Sequence, residues 1–321
     1  MLSIAICTHD RSADVRICLE HLHPQIDFAA AELLIIDSGC SAAEASALAR
    51  ATEAFPGARL IRIAVPGLSR ARNAAVGAAR GEWVAFLDDD AVPEAGWFGH
   101  AMRLVAAAPD RCGIIGGTVL PLFPEGSDPR IGRRWRQYLS LVEQPDEALL
   151  AADVSVCGAN AIYRRACLAD CGGFPESLGR VGTRLLSGEE KLVQEIAMRR
   201  GWTAARSHLL RAGHRIPVDR LGRDWAARRA YWDGLSDERI SFLIGPRTTG
   251  TEAAALAARA AILGLLYPIA PAGQEFDLRF WYAIGRLREW LNGPPRQTAG
   301  SDDPVIAVAV PAGREAGGKL R

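Results

Sequence analysis

Over its first ninety or so residues the chain alternates short apolar runs with helix-length amphipathic stretches, and that rhythm constrains the fold more than any single motif. Leu2–Cys7, Leu33–Asp37, Leu60–Val65 and Trp83–Asp88 are rich in Ile, Val and Leu and bounded by polar, Gly or Pro residues, which predicts buried strands. Between them Ala13–His23, Ser41–Phe55 and Ser69–Arg80 have helix length, with Ser41 and Ser69 placed to cap two of the helices. Elements alternating in this way predict an α/β domain with a mainly parallel, Rossmann-like sheet and helices on both faces. Ligands of such sheets sit beyond the carboxyl ends of the strands. There the chain carries Thr8-His9-Asp10-Arg11, Asp37-Ser38-Gly39, Gly67-Leu68-Ser69-Arg70 and Asp88-Asp89-Asp90, so one crevice is expected to gather carboxylates, hydroxyls and arginines.

After about Cys112–Leu120 the pattern loosens, and Arg130, Arg133, Arg134 and Arg136 surround Trp135. Asp153–Tyr163 reads as strand and turn, Arg164–Cys171 as a short helix, and Glu189–Arg200 as a helix ended by Gly201. Beyond Arg223 the chain reads as helical, with pieces at Arg223–Gly234, Glu252–Leu266 and Asp277–Leu291. The expected organisation is a catalytic domain over 1–220, a helical region over 221–292, and a disordered tail over 293–321, where Pro, Gly, Ser and charge dominate.

Composition narrows the function. The chain's 38 basic and 37 acidic residues leave a net charge of +1, which argues against a nucleic-acid partner. Only Lys191 and Lys319 are lysines; the arginine bias suits planar phosphate and carboxylate partners, and a GC-rich genome produces the same bias. Seven cysteines without a CxxC pair predict free thiols in a reducing compartment. Met1 leads straight into an apolar run with no basic segment before it, so a cytoplasmic protein is expected. Ala253–Ala272 approaches the length of a membrane span, but Arg259 interrupts it and Pro268 and Pro271 end it. Its apolar stretch from Ala260 to Leu266 leaves three readings open: packing on the main domain, a homodimer, or peripheral contact with the inner face of a membrane.

Asp88-Asp89-Asp90 is the most informative tripeptide. Three adjacent carboxylates repel one another, and folding raises their pKa values unless a cation or several donors compensate. A hard divalent cation that shares its oxygen ligands with a diphosphate does this naturally. A solvated acidic turn is the plain alternative, but this run directly ends the apolar strand Val84-Ala85-Phe86-Leu87.

Together the motifs resemble those of family 2 glycosyltransferases of the GT-A fold. The resemblance runs through Ile4-Ala5-Ile6-Cys7-Thr8-His9-Asp10-Arg11, Ile35-Ile36-Asp37-Ser38-Gly39, Gly67-Leu68-Ser69-Arg70-Ala71-Arg72-Asn73 and Phe86-Leu87-Asp88-Asp89-Asp90. It continues in order through Cys157-Gly158-Ala159-Asn160-Ala161, Gly172-Gly173-Phe174 and Ser187-Gly188-Glu189-Glu190, covering residues 1 to 220 or so. It implies an inverting transfer of a sugar from a nucleoside-diphosphate sugar, UDP first among the nucleotides, to a hydroxyl of a glycan or lipid-linked acceptor in cell-surface polysaccharide synthesis. It also implies a divalent cation, Mn or Mg.

By the same resemblance Asp37 reads the nucleotide base, Thr8 and Arg11 form the first nucleotide-contacting loop, and Arg72 helps hold the nucleotide or its diphosphate. Asp88 and Asp90 match the family's DxD pair, Asp90 as metal ligand and Asp88 nearer the ribose, with Asp89 a further candidate because the run has three aspartates. Glu190 matches the second carboxylate of the family's ED motif, the catalytic base, with Glu189 beside it. The usual residue there is Asp, so the longer side chain is a departure. Two acids at a helix start also suit the helix dipole. His214 is a candidate third metal ligand, Asn160 is a candidate acceptor contact, and Arg220, Arg228 and Arg229 are candidates for neutralising phosphates of the donor or of a lipid-linked acceptor, with solvated helix charges as the plain alternative.

Two other classes of function stay open at this point. Gly67-Leu68-Ser69-Arg70-Ala71 nearly fits the nucleophile elbow of a serine hydrolase, though Ala71 replaces the last Gly. A nucleotide- or glycan-binding module without catalysis would tolerate the Glu for Asp departure. A nucleotidylyltransferase lacks support, because the Gly-rich, Lys-bearing N-terminal loop is missing.

Overall fold

The computed structural model describes residues 1–293 except 128, 130, 153, 246–247 and 267–273, so the predicted tail and the two prolines after the apolar stretch lie outside the described residues. The elements are β1 (Leu2–Thr8), α1 (Ser12–Leu22), β2 (Ala31–Ser38), α2 (Ala42–Glu53), β3 (Ala58–Ile63), α3 (Leu68–Ala78), β4 (Trp83–Asp88), β5 (Ala91–Pro93) and α4 (Trp97–Ala107). They continue with β6 (Cys112–Leu122), α5 (Arg133–Tyr138), β7 (Ala148–Ala151), β8 (Asn160–Arg164), α6 (Arg165–Cys171), α7 (Glu189–Arg199), β9 (Thr203–Arg215), α8 (Arg223–Ile244), α9 (Gly250–Leu266) and α10 (Gln274–Asn292).

One sheet runs in the order β3-β2-β1-β4-β8-β6-β9-β5, with β7 also paired to β9. β3, β2, β1 and β4 are mutually parallel, as the alternating pattern predicts. Beyond β4 the sheet is mixed: β8 runs antiparallel to β4 and β6, β6 and β9 pair parallel, and β5 and β7 oppose β9.

The apolar runs are continuous because both faces of the sheet are covered. Leu2, Ile4, Ile6, Leu33 and Ile35 pack with Leu19, Leu48 and Trp97 of the helices on one side. Ala5, Leu34, Ile36, Val84 and Phe86 pack with Ala71, Leu168 and Val193 on the other. β3 departs from the prediction of a buried strand, since it forms the sheet edge and leaves Leu60 exposed. Its Arg59 and Arg62 instead pair with Glu32 and Asp37 of β2.

Behind the sheet, Trp135, Tyr138 and Leu139 join Ile216, Trp225, Ala230 and Leu278 in a third apolar cluster. α8 runs ten residues past the predicted stop at Gly234. A side chain at Gly234 would meet the Tyr282 carbonyl of α10, and one at Gly285 would meet the Tyr231 carbonyl of α8. Both glycines mark a close helix crossing rather than a helix end. In the apolar stretch of α9, Ala260 is buried while Ile262 and Leu265 are exposed. All seven cysteines are free, and among the described residues no helix is long and apolar enough to cross a membrane.

Candidate active site

Strand register sets the site. Thr8 pairs with Asp37 between β1 and β2, and Cys7 with Asp88 between β1 and β4, so three carboxyl ends finish level. The Thr8 hydroxyl donates to Asp89 at 2.8 Å, and Arg11 donates to Asp89 at 2.6 Å and to Asp90 at 2.9 Å. Asp37 is fully buried; one oxygen accepts the Cys40 N–H at 2.8 Å and the other lies 3.4 Å from Arg62.

The last strand adds a histidine to this cluster. Ala91 of β5 pairs with His214 of β9, and the Arg215 N–H donates to the Asp90 carbonyl at 3.0 Å. His214 Nδ1 lies 2.7 Å from the Leu139 carbonyl oxygen, which can only accept, so this contact anchors the ring through Nδ1–H and turns Nε2 toward the aspartates. Nε2 faces Asp90 Oδ2 at 3.3 Å, with Arg220 at 3.3 Å from Nε2 and 3.8 Å from Asp90. Burial alone would raise the Asp90 carboxyl, yet His214, Arg11 and Arg220 hold it well below the usual carboxylate range. Asp89 is pushed up to about 7, because burial and the Asp90 charge outweigh Arg11.

These residues fit a divalent cation. A carboxylate oxygen and an imidazole Nε2 face each other across a short gap, and the other ring nitrogen is anchored on a backbone carbonyl, the arrangement that orients metal-binding histidines. His9, Asp10 and Cys40 also bring their ligand atoms within 4.8 Å of one another at the rim. Each of the three already bonds to the neighbouring loops.

Asp88 belongs to a different group. Its side chain, about one-third exposed, lies 3.6 Å from Arg72, whose Nη1 donates to Glu189 at 2.7 Å and to Glu190 at 2.8 Å. Arg72 is buried on α3, and both glutamates open α7 after Gly188, which takes a left-handed φ of 90°. The two carboxylates differ in setting: Glu189 is buried, whereas the Glu190 side chain retains 16% exposure. Burial and the charge of Glu190 push the Glu189 carboxyl up to about 7 against the pull of Arg72. Gly158 faces them at such close range that an added Cβ would meet the Arg72 guanidinium and Glu190 Oε1.

The structure thus brings Thr8, Arg11, Asp89, Asp90, His214 and Arg220 into one cluster and Arg72, Asp88, Glu189 and Glu190 into another, with Asp37 beside the first. Asn160 stands apart. It is fully buried, donating to the Thr118 and Leu210 carbonyls and accepting from the Trp97 indole, so it braces β6, β9 and α4 and does not reach an acceptor. Ser69 is no helix cap, because α3 starts at Leu68 after Gly67; its buried hydroxyl donates to the Leu178 carbonyl at 3.1 Å, which removes the basis for a serine nucleophile.

A cavity of about 1190 Å³ opens beside the second cluster, lined by Arg72, Asp88, Gly158 and Glu190. Arg180 and Arg229 also line it; the sequence reading named Arg229 as a phosphate-neutralising candidate and gave Arg180 no place. The signal for Arg180 was its setting, an arginine between Gly179 and Gly182 just ahead of Ser187-Gly188-Glu189-Glu190.

Comparison with known proteins bears on the family and the fold. Residues 3–172 match the model of glycosyl transferase family 2. A glucosyl-dolichyl phosphate glucuronosyltransferase of Haloferax volcanii is 26% identical over 237 residues, covering 71% of this chain and 66% of the relative. Among solved structures, a mannosyltransferase from Pyrobaculum calidifontis in complex with GDP-Man and Mn2+ is similar over 90% of this chain and 86% of its own, with 20% identity and a TM-score of 0.57. S. aureus TarS 1-349 in complex with UDP-GlcNAc is similar over 92% and 93%, with 14% identity and a TM-score of 0.51. At these identities the two structures establish the GT-A fold alone.

Proposed function

Because the chain belongs to glycosyl transferase family 2, we propose that it moves a sugar from a nucleoside-diphosphate donor to an acceptor hydroxyl, with Glu190 as base. The observation that carries this reading is the placement of Glu190: a partly exposed carboxylate on a cavity wall, one residue of Arg72 away from Asp88. Both Glu189–Glu190 and His214 fall outside the family match at 3–172, so their roles rest on geometry.

Asp37 would accept from a ring N–H of the nucleotide base, with Thr8 shaping the same loop. Asp90 and His214 would hold a divalent cation, Mn or Mg, which would supply positive charge where the diphosphate departs. Arg11 and Arg220 flank that position and reinforce it. Arg72 binds one Glu190 oxygen, Oε1, and so fixes the carboxylate while Oε2 takes the proton of the acceptor hydroxyl. The acceptor oxygen then bonds to the anomeric carbon as the bond to the diphosphate oxygen breaks, which inverts that carbon.

The extra methylene of Glu relative to Asp is accommodated at Gly158, where no side chain intervenes. Release of nucleoside diphosphate from a panel of nucleotide sugars with Mn²⁺ tests the reading. Glu190→Gln should lower kcat by about 10³, within the usual range for a general base. Turnover equal to the wild type would remove Glu190 from the role.

A further inference from the structure

The cavity beside Glu190 holds more positive charge than its carboxylates use. Arg72 is taken by Asp88, Glu189 and Glu190, Arg136 by Glu143, and Lys191 by Asp237. Arg229, on α8, is 7% exposed and lies 5.4 Å over the Tyr138 ring. Its Nη2 donates to the Ser187 hydroxyl at 2.8 Å, Nη1 stops 3.8 Å from Asp233, and neither Nε nor Nη1 has a hydrogen-bond partner. Burial and the nearby charge of Arg180 both weaken its charged form. Arg180 comes from the loop between α6 and α7, and among the described residues its guanidinium makes no hydrogen bond or ion pair. The buried Arg229 guanidinium, with two unfilled donors, costs free energy until an acceptor joins it, and partly exposed Arg180 places a second cation on the same wall.

We infer that Arg180 and Arg229, with Ser187, form a subsite for a phosphate group carried by the acceptor, so that the acceptor is a phosphate-bearing sugar rather than a neutral glycan. This rests on the reading of Glu190 as base. The subsite belongs to the acceptor side because Ser187 lies three residues before Glu190. Tyr138, Ser187 and Asp233 come from α5, the residues just before α7, and α8, none of which carries a group assigned to the donor, while the charge of Arg180 also reaches Asp88 and Arg220. An adjoining cavity of about 470 Å³ between α8, α9 and α10 shares Arg134 and Tyr282 with the first. Ala255, Leu256 and Ala283 line it beside Arg259 and Arg279, leaving room for whatever the phosphate is attached to.

Calorimetry on the full chain, loaded with Mn²⁺ and saturating UDP, GDP or dTDP to fill the donor end, tests the subsite with methyl phosphate as probe. Methyl phosphate should bind the nucleotide-loaded protein, and Arg180→Gln should weaken it at least tenfold; Arg229→Lys, which keeps charge in the buried position, should weaken it less. No binding of methyl phosphate to the loaded protein would overturn the inference. So would an Arg180→Gln loss that falls equally on the nucleotide, which would place Arg180 with the donor. Octyl phosphate distinguishes the sources: tenfold tighter binding than methyl phosphate marks a lipid-borne phosphate, and equal binding a soluble one. Failure of all three nucleotides to bind would strike the transferase reading instead, and methyl phosphate titrated into the free protein would then decide the subsite alone.

Discussion

Two clusters flank the same three aspartates, and they hold their charge in different ways. In the first, Asp89 and Asp90 meet Arg11, Arg220 and His214, cations supplied by β9 and by the loops around the strand ends. In the second, Asp88 shares one buried Arg72 with Glu189 and Glu190, so three carboxylates depend on a single guanidinium. The first cluster is rich in cations and the second in acids, which in the proposed reaction suits the first to the metal and diphosphate and Glu190 of the second to the proton of the acceptor. Consecutive residues reach the two clusters because the chain turns at the end of β4, so a run of one residue type serves two different chemistries.

The comparison can be broken most severely at Arg72. Arg72→Ala should cost about 3–5 kcal/mol of stability in urea denaturation, since it leaves buried carboxylates without their cation. A cost near zero would mean that the second cluster is not held by this arginine.

Glu189→Gln sharpens the same point through pH. The Glu189 carboxyl is raised to about 7 in the folded protein from an ordinary value near 4.5, so the folded state favours the protonated form. The cost of its charge is absent below the lower value, grows as pH rises, and is complete above the upper one. The variant should therefore gain stability relative to the wild type between pH 5 and pH 8, by up to about 3 kcal/mol. A difference independent of pH would contradict the buried, acid-crowded setting.

Gly158→Ala is a smaller intrusion. The added methyl displaces Glu190 and Arg72, and should lower kcat about 10²-fold, as misplacement by about 1 Å does, while costing only about 1–3 kcal/mol of stability. Arg16→Ala provides the floor, because the exposed Arg16–Glu20 pair on α1 contributes about 0.3–0.5 kcal/mol and touches neither cluster.

Much of the convergence at the strand ends was legible in the sequence. Strands buried on both faces read as apolar runs, and the polar residues that follow them must converge when the strands are parallel and level, as Thr8, Asp37 and Asp88 are. The surroundings of the second cluster were less so. Asn160 lies in a motif shared with the family, yet its neighbours in space are Trp97, Thr118 and Leu210, which no local spacing reveals. Ser69 seemed a cap because the sequence does not show that Gly67 already breaks the chain at a φ of 152°. Arg180 escaped notice and Arg229 could not be told from a solvated helix charge, because α5, α7 and α8 come together only in the third dimension.

The division of labour between the two clusters is tested most directly by titrating UDP, with GDP and dTDP in parallel, into Asp90→Asn and Glu190→Gln with and without Mn²⁺. Asp90→Asn should lose the Mn²⁺-dependent part of nucleotide affinity, whereas Glu190→Gln should keep it while losing turnover. Mn²⁺-dependent binding that survives in Asp90→Asn, or disappears in Glu190→Gln, would contradict the account.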